Sequence, residues 1–146
     1  MKIEDFLSPD DVVIDLRAAG KAQLIQELAA RASARLHLDP GRIALELQKR
    51  EELGSTGVGS GIAIPHARFA ELAKPFALLA RLKRPIEFKA IDSEPVDLVF
   101  LLLQPASTQS DLNALAAAAR KLREKDRAQR MRDAQDAAAL YRALTG

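Results

Sequence analysis

The sequence predicts an α/β fold: a mixed β-sheet flanked by helices on both faces, forming a single domain over residues 1–146. Three observations predict it. Apolar residues recur at helical spacing from Gly20 to Leu53, short β-branched and apolar runs cluster between 62 and 104, and helical spacing returns from about 111 to the end.

The elements follow in order. VVIDL at 12–16 is β-branched enough for a strand. From Gly20, Leu24, Ile25, Leu28, Ala29, Ala32 and Leu36 form one apolar stripe, with Lys21, Gln26, Glu27, Arg31 and Arg35 between them, which predicts an amphipathic helix. Asp39 then reads as an N-cap with Pro40 in the first helical position, opening a second helix through Ile43 and Leu47 that stops at Gly54. IAI at 62–64 is long enough only for a short strand, whose ladder Pro65 should end. FALLARLK at 76–83, IEFKA at 86–90 and VDLVFLLLQ at 96–104 read as three further strands with proline turns at Pro85 and Pro95. The last is almost continuously apolar, as in a central strand covered on both faces, and Pro105 should close it. Ser107, Thr108 and Ser110 are N-cap candidates for an alanine-rich helix from about 111 to 125, and Asp136 caps a final one.

Composition narrows the function. At 146 residues and 48% apolar, the chain should bury roughly two-thirds of the surface its unfolded form exposes. With 22 basic against 20 acidic residues there is no general nucleic-acid signature, and the basic cluster RKLREKDRAQRMR is broken by Glu124, Asp126 and Asp133, which favours a solvated helix face. The absence of cysteine excludes disulfides, thiolate metal sites and thiol nucleophiles. Acidic residues stand where a signal peptide would be basic, and no run approaches the ~20 apolar residues of a membrane span, so the expected location is the cytoplasm without membrane insertion.

One stretch concentrates chemistry: GSTGVGSGIAIPHAR, residues 54–68. Gly54 and Gly59 have the separation of a Walker loop, but Ser60 stands where its lysine belongs. Gly57, Gly59 and Gly61 alternate every second residue and lead into a strand, which is wrong for a dinucleotide fingerprint. What survives is an amide nest able to hold one phosphoryl group, or else a loop that is merely flexible. His66 closes the stretch. A neutral imidazole can accept a phosphoryl group if one nitrogen is open and the other is fixed by an acceptor such as a backbone carbonyl. In an extended chain Arg68 would share its face, Arg50 ends the preceding helix, and Ser55, Thr56 and Ser60 could add hydrogen bonds. Metal ligation is the competing use of a histidine, but His37 is the only other one and lies near a helix end, so neither a metal nor another cofactor is expected. A G-x-S-x-G elbow for a serine hydrolase is also lacking.

KREELGSTGVGSGIAIPHAR resembles the active-site segment of enzyme IIA domains of the mannitol/fructose class in the bacterial phosphotransferase system, and the resemblance continues through PIEFKAIDSEPVDLVFLLLQP at 85–105. It looks most like the free-standing nitrogen-regulatory branch. The resemblance implies a single IIA domain, a phosphohistidine intermediate at His66 charged by an HPr-type histidine phosphocarrier, and Arg50 as the arginine near it. Arg68, Ser55, Thr56, Gly57 and Gly59 are the candidate phosphoryl-stabilising positions. It also implies regulation of other proteins, such as potassium transporters or sensor kinases, by phosphorylation state. The alternatives are a sugar-specific donor to a IIB partner and a binding module without phosphorylation. Where the family commonly has a second histidine, at the start of the next helix, this chain has Asp111.

Overall fold

The structure, a computed structural model, describes residues 2–106 and 109–146, with the backbone alone at 109–112. Two short 3-10 turns, Ile3–Asp5 and Pro9–Asp11, lead into β1 (Val12–Leu16), α1 (Lys21–Leu36) and α2 (Pro40–Glu52). Then come β2 (Gly57–Gly59), β3 (Ile62–Ala63), β4 (His66–Phe69), β5 (Phe76–Ile86) and β6 (Val96–Pro105), and the chain closes with α3 (Gln109–Leu122), α4 (Lys125–Asp133) and α5 (Ala137–Thr145). The sheet runs β1-β5-β6-β3-β2, with β4 also on β6. It is mixed: β1 is parallel to β5, β3 and β4 are parallel to β6, and β5 is antiparallel to β6.

β6 explains the layering. Val99, Leu101 and Leu103 face a core with α1 and α2, whereas Leu98, Phe100 and Leu102 face a second core with α3, α4, α5 and the N-terminal turn. A strand with both faces covered needs apolar residues at every position, and burying each large one contributes roughly 1.5–3 kcal/mol.

The predicted caps act as expected on α2 and α5: the Asp39 carboxylate accepts from the Arg42 amide at 2.9 Å, and that of Asp136 from Ala139 at 2.7 Å. His37 takes the left-handed C-cap position of α1 at φ 59°. Ser107 and Thr108 lie outside the described residues, as does the side chain of Ser110.

Two expectations are corrected. IEFKA is not a separate strand. β5 continues through Pro85, because its pairing shifts after Arg81 and resumes at Ile86 opposite Val96, while Phe88 and Ala90 are buried from a loop. Pro65 ends the ladder of β3 as expected, and the sheet continues beyond it: the Pro65 carbonyl accepts from Leu102 at 2.9 Å and β4 resumes the pairing one residue later. The basic cluster is not simply solvated: it spans α3 and a separate α4, and Arg127 is only 7% exposed.

Candidate functional site

β3 and β4 lie end to end along β6, with Ile62 opposite Leu98 and His66 opposite Leu102. Between them Ile64 and Pro65 interrupt the ladder, and this interruption frees the Ile64 carbonyl to face the imidazole. His66 Nδ1 is 2.8 Å from that oxygen. A carbonyl can only accept, so the proton sits on Nδ1 and Nε2 carries the open lone pair.

Nε2 faces Arg50. In the last turn of α2, Arg50 donates from Nε to His66 Nε2 at 3.3 Å and from Nη1 to the Gly54 carbonyl at 2.9 Å. A cation suits a helix C-terminus, and the second bond fixes where the guanidinium points. Arg68 is two residues beyond His66 on the exposed face of β4, opposite Gln104. His66 itself is half-buried. Burial lowers its pKa below the ordinary 6.5, the Ile64 carbonyl acts in the opposite direction, Arg50 and Arg68 lower it further, and Glu51 raises it. At neutral pH the ring is therefore neutral and nucleophilic.

His66, Arg50 and Arg68 line one open depression of about 630 Å³, together with Leu53, Gln104 and Leu115. Leu53 is 85% exposed at its rim. Ser55, Thr56, Gly57 and Gly59 are not in its lining. The Ser55 hydroxyl donates to the Phe88 carbonyl at 3.3 Å and accepts from the Gly57 amide at 3.0 Å. Thr56 is 3% exposed, and both its amide and its hydroxyl donate to Glu51. Gly57 belongs to β2, where a Cβ would stand 2.7 Å from that of Ala90. Gly59 opens the tight hairpin to β3, with Ser60 at φ 58° and Gly61 at φ 79°, and the Ser60 amide donates to Asp92. The glycines serve close packing and a turn here. Asp111 is placed on α3, and its side chain lies outside the described residues.

Residues 5–146 match the family described as "Phosphoenolpyruvate-dependent sugar phosphotransferase system, EIIA 2". The chain belongs to this family. Over 145 residues it is 45% identical to a nitrogen regulatory protein of Bradyrhizobium diazoefficiens, covering 99% of this chain and 95% of the relative. The crystal structure of the nitrogen regulatory protein IIA-Ntr from Neisseria meningitidis superposes with a TM-score of 0.92 at 30% identity, covering 98% and 99% of the two chains. IIA mannitol from Escherichia coli shares the fold at a TM-score of 0.78 and 16% identity, over 94% and 97%. Among the described residues of this EIIA domain, no helix is long and apolar enough to cross a membrane.

The sequence reading of the EIIA site passed over Glu51. Its side chain is 6% exposed and ion-paired with Lys21 at 2.8 Å. A signal existed: an acid in the last turn of a helix opposes the macrodipole, so something else must hold it there.

Proposed function

We propose that this EIIA domain accepts a phosphoryl group on Nε2 of His66 from an HPr-type histidine phosphocarrier and uses its phosphorylation state to regulate other proteins. The observation that carries the reading is the Nδ1 contact to the Ile64 carbonyl, which leaves Nε2 as the open nitrogen in a depression a partner can enter.

The Nε2 lone pair attacks the phosphorus of the carrier's phosphohistidine. The carrier's N–P bond breaks, with its electron pair returning to the carrier nitrogen. His66 keeps its Nδ1 proton and gains positive charge, which the Ile64 carbonyl stabilises. Arg50 turns its N–H groups from the lone pair to the arriving oxygens, and Arg68 adds a second cation on the same face. The exposed Leu53 gives the carrier an apolar contact beside the reacting atoms. Similarity to nitrogen regulatory proteins supports regulation as the output, and potassium transporters or sensor kinases are the targets that the sequence resemblance implies.

Phosphoenolpyruvate labelled with ³²P, enzyme I and an HPr-type carrier test the reading. Acid-labile, alkali-stable label is expected on the wild-type chain and none on His66→Ala. An unlabelled wild type, or label that persists in the variant, overturns it.

A further inference from the structure

The open nitrogen of His66 depends on a carbonyl, and that carbonyl depends on a chain of contacts that begins one residue after Arg50. Glu51 Oε1 accepts from the Thr56 amide at 3.0 Å, and Oε2 accepts from the Thr56 hydroxyl. Thr56 is thereby held at two points. Its own carbonyl accepts from the Ile64 amide at 3.0 Å, and the Ile64 carbonyl holds His66 Nδ1 at 2.8 Å. The same carboxylate closes the turn that orients Arg50, because Gly54, whose carbonyl anchors Arg50 Nη1, lies between Glu51 and Thr56. Lys21 of α1 completes the network through its ion pair to Glu51, its bond to the Phe88 carbonyl at 3.3 Å and its place 4.4 Å from the Phe88 ring centre.

We propose that Glu51 is a positioning residue for phosphoryl acceptance: by clamping Thr56 to the end of α2, it fixes both the tautomer of His66 and the direction of Arg50. The proposal rests on the phosphohistidine reading above. Partners that orient a metal-ligating imidazole from behind change affinity or activity by about 10–100-fold when removed, and an effect of that order is expected for this carbonyl-held ring. A glutamine at 51 can still hold Thr56 at two points, its oxygen accepting from the backbone amide and its NH2 donating to the hydroxyl, whereas an alanine offers no acceptor to Thr56 and no charge to Lys21, so the two-point hold is lost.

Two variants and one control test this. In Glu51→Ala and in the near-isosteric Thr56→Val, ¹⁵N spectra of the neutral His66 ring should show the two nitrogens moving toward each other as the Nε2–H tautomer becomes populated. The initial rate of phosphoryl uptake from the HPr-type carrier should fall roughly tenfold or more. Thr56→Ser, which keeps the hydroxyl, should retain the wild-type spectrum and rate. Circular dichroism establishes that each variant is folded at the temperature used. A folded Glu51→Ala or Thr56→Val with wild-type tautomer and rate overturns the proposal. Should the wild type take no label, the phosphohistidine reading falls alone, because the tautomer spectra of the unphosphorylated protein still decide the role of Glu51.

Discussion

Two arginines sit at helix ends in different regions of the molecule and make opposite use of the same side chain. Arg127, on α4, is buried and its bonds are spent on structure: Nε donates to Glu124 at 2.7 Å, while Nη1 reaches the carbonyls of Ala143, Leu144 and Gly146 at 3.0, 2.9 and 2.7 Å. It supplies donors to the last carbonyls of α5, which the helix itself leaves without partners. Arg50 makes one such carbonyl bond, to Gly54, and spends its Nε on the lone pair of His66. That bond to nitrogen is long, at 3.3 Å, and can be exchanged for a stronger one to a phosphoryl oxygen. The difference teaches how to tell a structural cation from a reactive one: what matters is whether its acceptors are permanent.

The largest expected effect is therefore kinetic and falls on Arg50. Arg50→Ala should leave thermal stability nearly unchanged, yet slow phosphoryl uptake by about a hundredfold, as with loss of one donor to developing negative charge. Arg50→Lys should recover little, because a point charge cannot bond Gly54 and a phosphoryl oxygen with fixed fork geometry. Initial rates from the labelled carrier measure both. A wild-type rate in Arg50→Ala would erase the distinction between the two arginines.

Arg127→Ala should do the reverse. Removing a buried cation takes the shared donor from the carbonyls of Ala143, Leu144 and Gly146, while the exposed Glu124 carboxylate returns to water, for a loss on the order of 2–3 kcal/mol. Urea unfolding reads this out, and the rate of uptake by the folded fraction should match the wild type. Little loss of stability would mean that water satisfies the end of α5 as well as the guanidinium does.

Sequence pattern carried the fold a long way because the layers impose periodicity: the stripe of α1, the capped start of α2 and the doubly covered β6 are each visible in residue order. β2 and β4 were not legible, because strands of three and four residues give no period, and their pairing depends on where β6 ends up. Phe88 and Ala90 look like strand residues because they are buried, but they are buried from a loop. At the site, His66, Arg50 and Arg68 lie together around one depression, and proximity of the first two follows from α2 ending beside β4. Ser55, Thr56, Gly57 and Gly59 carry the chemistry of a phosphate nest but spend it on Phe88, Glu51, the packing against Ala90 and a hairpin. A sequence lists donors without saying where their bonds go. Glu51 was legible only as an acid set against the helix dipole, since its acceptors serve residues that meet it only after the turn has closed.

The smallest expected effect is on the titration of His66, and it separates the two arginines without any phosphoryl transfer. Burial is the main cause of the lowered pKa, and Arg50 adds to it. The folded chain thus favours the neutral ring, and the unfolded chain takes up the proton first as pH falls below about 6.5. Above that pH the ring contributes no pH dependence. Between about 6.5 and the lower folded value, stability declines as pH falls, and below the folded value the difference is constant. Arg50→Ala removes a neighbouring cation and opens the ring to water, and both changes push the His66 midpoint upward, toward 6.5. The pH window of declining stability should narrow with it. Arg127→Ala should leave the midpoint where it is, since Arg127 is absent from both the depression and the causes of the shift. Titration of the His66 ring protons by NMR in the two variants provides the measurement. An unmoved or lowered midpoint in Arg50→Ala would show that the guanidinium does not face the imidazole in solution, and the role of Arg50 as the cation awaiting the phosphoryl group would fall with it.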